Sequence, residues 1–320
     1  MTKLINKVMT AKEAVEKYVS DGDIVGIGGQ SIGRCSMALS HEIIRQNKTD
    51  LTLVGCNMAM HMDLMIGAGT VKKTESGTGN LERYGTAFQW RKAIEQKSIE
   101  IEDYSHLSMS LRFLAGSLGL PFIPTKSMLG TDLAQQVSNN ILETKDPWNS
   151  NKSVLLLKAC NPDVSIVHVQ KADTLGNAII EGFSTHEPEM IKASKSVIVS
   201  CEELIDTEII RQNPEMTSIP YIFVDAVVLQ PWGAYPTSTY KFYEHDEPHI
   251  KHYQSIAKSN ESAYKKYLEE YIYGCPDFDN HLEKVTTPEN LNSLAESMHS
   301  VSCYKHDTNT KSNFKRNDGN

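Results

Sequence analysis

The sequence has 320 residues, of which 40% are hydrophobic and 22% charged, and its formal net charge is −8. This composition is typical of a globular protein with a large core, and the negative charge argues against nucleic acid as the main partner, because phosphate binding requires clustered positive charge. No apolar run reaches about 18 residues, and charged and amide residues interrupt the N-terminal stretch, so neither a membrane span nor a signal peptide is expected.

The first predicted elements are a helix and a strand. Apolar residues recur with helical spacing over 11–19, and Thr10 is placed to begin a capping box. A short β-branched run at 24–27 then predicts a strand. Gly28 and Gly29 end that run, so the strand leads directly into a glycine turn.

Helices and short apolar strands alternate through most of the remaining chain. In chain order, the further predictions are a helix at 37–47, a strand at 51–55, helices at 61–68 and 85–96, a strand at 99–101, a helix at 108–119, strands at 153–157 and 164–169, a helix at 187–193, strands at 196–199 and 221–229, and a long helix at 252–273. Continuous apolar strands are typical of a parallel sheet covered on both faces. The predicted fold is therefore α/β, with an open doubly wound, mostly parallel sheet, helices on both faces and a C-terminal helical extension.

The chain is interpreted as one domain at 8–290. The polar loop at 146–152 is the best internal boundary, but it is interpreted as a surface excursion. The segment 301–320 is polar and poor in apolar residues, which predicts a disordered tail.

Six cysteines are scattered along the chain without a C-x-x-C pair: Cys35, Cys56, Cys160, Cys201, Cys275 and Cys303. This spacing favours free, buried thiols in a reducing, cytoplasmic environment, and it makes a structural zinc site unlikely on ligand spacing.

The turn at Gly28 and Gly29 is the first candidate site. Paired glycines expose backbone N–H groups and allow a ligand to approach closely, and ligands of doubly wound sheets bind beyond the carboxyl ends of the strands. A nicotinamide site fits poorly, because no helix starts promptly and no acidic residue ends the second strand at the expected spacing. A tight turn without a ligand remains the alternative.

Residues 21–33 resemble the signature of the A-type (α) chain of type I CoA-transferases, with matching Asp-Gly, Gly-Gly and final glycine residues. Gln30 replaces an aromatic residue, and Cys35 and Ser36 stand where the family has proline. The resemblance implies that Gly28, Gly29, Gln30 and Ser31 bind substrate. The replacement at Gln30 suggests an unusually polar pocket wall.

The resemblance continues in the same order over about residues 8–290 and is closest to the α subunit of glutaconate CoA-transferase. The segments that carry it are 49–54, 62–72, 88–105, 119–124, 130–133, 168–177 and 224–228. It implies transfer of CoA between a small acyl-CoA and a carboxylic acid, without a metal or redox cofactor. The N–H groups of Gly28 and Gly29 would then stabilise an oxyanion.

Such chemistry requires a glutamate nucleophile, which in this family lies in a Ser-Glu-Asn-Gly motif of the B-type (β) subunit. The nearest segments here, at 75–77 and 181–182, do not match. The sequence therefore predicts that the nucleophile belongs to a B-type partner and that the enzyme is a hetero-oligomer.

Glu82 follows a predicted strand and precedes a helix. Related A-type chains often carry a glutamate here, and in a steroid-ring hydrolase it belongs to the catalytic site. Glu82 is thus a candidate catalytic residue, with helix-terminal charge or a salt bridge to Arg83 as the alternative. Two other functions stay open: a CoA-thioester or ring-cleaving hydrolase that uses Glu82, and a non-catalytic ligand-sensing protein.

Other polar groups favour structural roles. His168 ends a strand and could be a general base, but a hydrogen-bonded structural histidine is favoured. The segment 173–176 has the composition of a β-turn. Tyr235 stands where the family has histidine, so the resemblance implies that a base is lost. Near Asp246 and Glu247, the histidines at 245, 249 and 252 lack clear metal spacing and are interpreted as a solvated surface.

Overall fold

The computed structural model describes residues 5–137 and 139–302. The last helix continues through Ser302. The rest of the tail predicted at 301–320, and Cys303 with it, lies outside the described residues.

Helices and strands alternate within the described residues. The helices are α1 Ala11–Tyr18, α2 Met37–Arg45, α3 Met60–Gly67, α4 Phe88–Glu95, α5 His106–Ser117, α6 Asp132–Gln136, α7 Glu187–Ala193, α8 Thr207–Gln212, α9 Glu247–Lys258, α10 Glu261–Leu268, α11 Phe278–Val285 and α12 Pro288–Ser302. The strands are β1 Ile24–Ile27, β2 Leu51–Met58, β3 Val71–Gly79, β4 Glu100–Asp103, β5 Phe122–Thr125, β6 Ile141–Asp146, β7 Asn149–Lys158, β8 Val164–Ala172, β9 Ala178–Ile179, β10 Ser196–Leu204 and β11 Ala226–Leu229. Among the described helices, none has both the length and the apolar character needed to span a membrane.

The main sheet has the strand order β11-β10-β8-β1-β2-β3-β4, with short β9 paired to β8. Neighbours along this order are parallel, and only β9 runs antiparallel. Strand β1 is central, so its residue Gly26 pairs with Val54 of β2 on one side and with Ser165 of β8 on the other. The carboxyl ends of all seven parallel strands therefore lie along one edge.

Both faces of this sheet are covered, as the predicted fold requires. Leu53 belongs to an apolar core that also contains residues of α1, α2, α3 and the C-terminal helices. Its neighbour Val54 points to a second core, with residues of α5 and α7. Because successive strand residues face opposite sides, every residue of β2 is buried.

Two predictions about the middle of the chain were wrong in part, and one predicted strand belongs to a different sheet. The strand predicted at 153–157 lies within β7, which belongs to a separate antiparallel sheet of order β5-β7-β6. In the polar loop predicted at 146–152, only residues 147–148 form the turn of the hairpin between β6 and β7, and residues 149–152 belong to β7. Strand β6 was not predicted because its sequence has no clear apolar pattern. Only Ile141 of this strand is buried, so its other positions do not need apolar residues. In the segment predicted as a strand at 221–229, Tyr221–Phe223 forms a 3₁₀ turn before β11.

The long helix predicted at 252–273 is divided into α9 and α10. The side chain of Asn260 accepts a hydrogen bond from the Ala263 N–H at 2.9 Å, which caps the start of α10. Helix α9 itself begins earlier, where Asp246 caps it by accepting the His249 N–H at 2.9 Å. The extension is thus a series of short helices that pack against α2 and α4.

Candidate active site

The turn after β1 lies beside the carboxyl end of β2. The Ser31 N–H donates to the Asn57 carbonyl at 3.3 Å, and Asn57 pairs with Thr78 of β3. The loop after β3 carries Glu82. The structure therefore places Gly28, Gly29, Gln30, Ser31 and Glu82 on one edge of the sheet, on neighbouring loops.

The two glycines are required by close packing. A Cβ atom on Gly28 would lie 2.7 Å from Glu187 Oε1 and 2.7 Å from Val167 Cγ1. Gly29 has φ +93°, and a Cβ there would lie 2.8 Å from the Arg34 carbonyl oxygen. Only glycine fits these positions without moving backbone or core atoms.

The N–H groups of this turn are bonded inside the chain. Gly28 donates to the Ile166 carbonyl at 2.9 Å, Gly29 to Glu187 Oε1 at 2.9 Å and Gln30 to the Gly33 carbonyl at 2.9 Å. In this conformation the Gly28 and Gly29 N–H groups, which were predicted to stabilise an oxyanion, both have internal acceptors and are not free for a ligand.

A buried ion pair lies beneath the turn. Arg34 Nη1 lies 3.0 Å from Glu187 Oε1, and Nη2 lies 2.5 Å from Oε2. Arg34 also donates to the carbonyls of His168 and Phe183, and both partners of the pair are buried. Sequence reasoning missed Arg34 and Glu187, although a charged residue inside a glycine turn was a visible signal.

The side chains on this edge, unlike the N–H groups, are unsatisfied. Gln30 Oε1, Ser31 Oγ and Asn57 Oδ1 are buried and have no hydrogen-bond partner among the described residues. Ser31 and Asn57 are only 7% and 6% exposed. Sequence reasoning named Gln30 and Ser31 but missed Asn57, which ends an otherwise apolar strand.

His61, in the first turn of α3, is a further buried polar group on this edge. Neither of its ring nitrogens makes a hydrogen bond within the described chain. Burial lowers the pKa of His61 to about 4, and the nearby Gly28 backbone opposes that shift. At neutral pH the ring is therefore uncharged and adds no positive charge beside the turn.

Glu82 is exposed and begins the 3₁₀ turn Glu82–Tyr84 with φ 52°, a conformation unusual for a residue other than glycine. Within the described part of the chain its carboxylate has no ion pair or hydrogen bond. Arg83 pairs instead with Glu247 at 2.8 Å, so the alternative of a salt bridge between Glu82 and Arg83 is excluded.

Glu82 lines an open cleft of about 450 Å³ together with Trp90, Arg91 and Glu95. The cleft does not include the glycine turn. A second cleft of about 450 Å³, between α3, α4 and α10, is formed by the C-terminal ends of α3 and α4. Those ends lead toward the amino ends of β3 and β4, so the second cleft lies on the opposite edge, away from the candidate residues.

His168 is held in a buried network. Its Nδ1 lies 2.9 Å from Ser200 Oγ and its Nε2 lies 2.6 Å from Glu202 Oε1. Glu202 also accepts the Tyr243 hydroxyl at 2.5 Å and the Trp232 N–H at 2.6 Å. The favoured structural interpretation of His168 agrees with this complete set of internal partners.

Of the remaining sequence predictions, some are confirmed by the structure and others are wrong. Asp173 Oδ1 accepts three successive backbone N–H groups, those of residues 175–177, which confirms the turn. Tyr235 is buried, and its hydroxyl donates to Asp246 at 2.7 Å. The predicted solvated surface was wrong for Asp246 and His249, which are buried. The described residues contain no group of acidic, histidine or cysteine side chains suited to a metal.

The model of one protein family, coenzyme A transferase, matches residues 8–230. The chain belongs to this family. It is 33% identical over 308 residues to the α subunit of glutaconate CoA-transferase from Acidaminococcus fermentans, covering 90% of this chain and 94% of the relative. A chain in the crystal structure of that enzyme superposes with a TM-score of 0.86 at 32% identity, covering 90% of this chain and 95% of that one.

Two further relatives extend the comparison. An uncharacterised protein of Archaeoglobus fulgidus is 39% identical over 293 residues, which are 91% of this chain but 65% of the relative, so this chain spans about two thirds of that protein's length. The cholesterol ring-cleaving hydrolase IpdA subunit of Rhodococcus jostii is 26% identical over 280 residues, covering 85% of this chain and 94% of the relative.

These comparisons confirm the predicted family, the resemblance to the α subunit of glutaconate CoA-transferase, and the fold of the transferase chain. They do not test Gly28, Gly29, Gln30, Ser31 or Glu82, whose roles stay predictions.

Proposed function

We propose that this protein is the A-type (α) half of a two-subunit transferase that moves CoA between an acyl-CoA thioester and a carboxylic acid, with the unit at 8–290 forming its part of the site. One observation carries the proposal. The chain matches the coenzyme A transferase family, yet none of the glutamates considered in the next paragraph has a carboxylate that is both buried and unpaired.

Covalent CoA transfer requires a carboxylate able to attack a thioester. Glu187 is paired with Arg34, and Glu202 is bonded to His168 and Tyr243. The two glutamates nearest to the expected motif are also paired, Glu75 with Lys73 and Arg112, and Glu181 with Lys241. Of the glutamates considered, Glu82 alone is unpaired, and it is exposed. The nucleophile is therefore assigned to a B-type partner.

In the proposed reaction, the partner's carboxylate attacks the acyl carbonyl, and CoA leaves as a thiolate. The thiolate then attacks the glutamyl carbonyl of the resulting anhydride, which gives an enzyme thioester and releases the first acid. The second acid repeats these steps in reverse and leaves as its CoA ester. No atom changes oxidation state, so no redox cofactor is needed. Here the α subunit supplies the pocket wall at Gln30 and Ser31, on a turn fixed by Glu187.

A cytoplasmic location is part of the proposal. It is supported by the five described cysteines, which are all free and buried. Small acyl-CoA and carboxylate substrates, rather than nucleic acid or a membrane, are the proposed ligands, since the net charge of −8 disfavours anionic polymers.

A hydrolase is the second candidate, because Glu82 combines a free carboxylate with a position beside a cleft. A carboxylate in this position could activate water as a general base. The sequence similarity to a ring-cleaving hydrolase subunit supports this alternative.

The test is co-expression with a candidate β subunit, followed by an assay of CoA exchange between acyl-CoAs and acetate. The complex should exchange CoA, whereas the α subunit alone should not. After incubation with acyl-CoA, mass spectrometry of peptides should find the CoA adduct on the β subunit. An adduct on a carboxylate of the α subunit, or full exchange by the α subunit alone, would refute the assignment of the nucleophile to the β subunit.

A further inference from the structure

The outer strand β6 of the small sheet has an unpaired edge. Strand β7 lies between β5 and β6, so only one side of β6 has a strand beside it within the described residues. The Lys158 N–H of β7 donates to the Asn140 carbonyl at 2.9 Å. Because the direction of hydrogen bonding alternates along an antiparallel strand, the backbone groups of Glu143 and Lys145 point away from β7. They can therefore pair with one more strand.

The other outer strands of the two sheets are protected against such pairing. Strand β11 is bonded to the N-terminal segment, where the Met9 N–H donates to the Val227 carbonyl at 2.9 Å. Strand β5 carries Pro124, which has no N–H group to donate. Strand β4 consists of acidic residues except for Ile101, so two copies of it would repel each other. Strand β6 has neither a proline nor a run of like charges.

The surface beside the β6 edge is apolar. Leu142 pairs with Leu156 of β7, which pairs with Pro124 of β5, so these three residues form one row across the sheet. Leu142 is 63% exposed, and it lines a groove of about 310 Å³ together with Leu156 and Phe122. An apolar row that ends at an open strand edge is typical of a surface that another protein covers.

The sequence of β6 selects a second copy of this chain as the added strand. Two identical strands that pair antiparallel are related by a two-fold axis normal to their sheet. Facing residues then lie on the same face, so the axis passes beside a residue and not between two. An axis beside Glu143 or Lys145 would bring like charges directly opposite each other, which is destabilising. An axis beside Leu142 would leave both charges without a charged partner.

An axis beside Thr144 brings opposite charges together. Glu143 of each copy then faces Lys145 of the other, and their outward backbone groups exchange hydrogen bonds as a bonded antiparallel pair. Both side chains are exposed, and neither forms an ion pair within the described chain, so both charges are available. Charge complementarity and backbone direction therefore favour the same register.

We propose that two copies of this chain pair through β6, antiparallel and centred on Thr144, so that their three-stranded sheets join into one. The joined sheet covers both open edges and brings the two apolar rows next to each other. The surface involved is small, so the expected affinity of the chain alone is in the micromolar range. The proposal does not depend on CoA transfer, and it predicts that the enzyme contains at least two α subunits.

Sedimentation velocity of the full chain measures this pairing. The wild type should show a reversible monomer–dimer equilibrium between about 1 and 200 µM. Lys145→Glu should weaken the dimer by about 10-fold or more, because it places two carboxylates opposite each other. The double variant Glu143→Lys/Lys145→Glu again has opposite charges in register and should restore the dimer, which a misfolded chain could not do. Lys126→Glu, at an exposed position just after β5, is the control and should leave the equilibrium unchanged.

Thr144→Cys tests the register. The two copies of residue 144 form a non-hydrogen-bonded pair with Cα atoms about 4.5 Å apart, a separation that a disulfide can span. Mild oxidation should link two chains in this variant but not in the wild type or in Glu143→Cys, because residue 143 faces residue 145. The proposal is wrong if the wild type stays monomeric, if Lys145→Glu does not weaken the dimer, if the double variant does not restore it, or if no disulfide forms at residue 144.

Discussion

The carboxylate of Glu187 accepts the Gly29 N–H at 2.9 Å, across 158 positions of sequence. Glu187 is in the first turn of α7, whereas Gly29 lies in the turn that follows β1. The same carboxylate binds Arg34, so one buried group holds two points of the turn. The position of the predicted pocket wall is therefore set by a helix from the second half of the chain.

Glu187→Gln should destabilise the protein by about 3–5 kcal/mol, because removing one partner leaves the buried Arg34 guanidinium uncompensated. It should also lower kcat/KM in the complex as the turn loses its anchor. Urea unfolding of the chain measures the first effect. Glu95→Gln is the control, since Glu95 forms an exposed pair with Arg91 and should have little effect. Equal unfolding free energies for Glu187→Gln and the wild type would exclude the anchoring role.

Glu82→Gln distinguishes the two candidate enzymes. If the protein is a transferase with its nucleophile on the β subunit, the substitution should change CoA exchange by less than about 10-fold, because Glu82 then only lines a cleft. A hydrolase that uses Glu82 as a base should lose about 100-fold or more of its kcat. Both activities are measured on the complex by release and transfer of CoA.

Glu95→Gln is again the matched control for Glu82→Gln, because Glu95 lines the same cleft and is exposed. Equal losses in both variants would assign the effect to the charge of the cleft rather than to Glu82. Unchanged rates with every substrate would remove Glu82 from the chemistry.

Three buried histidines join α2, α9 and α11, and they predict loss of stability in acid. The ring of His41 lies 4.5 Å from that of His281, which lies 6.3 Å from that of His249. Burial lowers the pKa of His249 to about 4 and that of His281 to about 3, and it lowers the pKa of His41 well below 6.5. Arg45 and Lys284 add to the lowering of the His281 pKa.

Because these pKa values are depressed on folding, the unfolded chain binds more protons in acid. The stability contributed by the neutral rings is complete above about pH 6.5, and it is lost as the pH falls toward 4 and 3, by roughly 1–2 kcal/mol per pH unit for each histidine. The measurement is the free energy of unfolding in urea between pH 7 and 4.5. Asp246 favours protonation of His249 and reduces the effect there.

His41→Leu keeps an apolar side chain in this position and removes one titrating group, so it should make the unfolding free energy less dependent on pH. His252→Leu, on the exposed side of α9, serves as the control and should change the pH dependence much less, because His252 is only a minor cause of the lowered His249 pKa. The same slope in His41→Leu and the wild type would contradict the assignment of the acid response to this cluster.

Most helices and strands of the main sheet, the glycine turn and the family were available from the sequence because they rest on local patterns. The predicted capping box at Thr10 is present, with the Glu13 N–H bonded to the Thr10 hydroxyl at 3.2 Å. The turn at Asp173 was predicted from composition alone. Such features depend on residues three or four positions apart, so a single sequence contains the whole signal.

The tertiary structure decided which groups of the site are free. Exposed N–H groups were expected at Gly28 and Gly29, but β8 and α7 bring acceptors to both. Asn57 could not be identified because its strand is otherwise apolar, and only its place beside Ser31 shows an unsatisfied side chain. Strand order and burial bring distant residues together, and whether a polar atom is satisfied depends on those distant neighbours, which no local periodicity encodes.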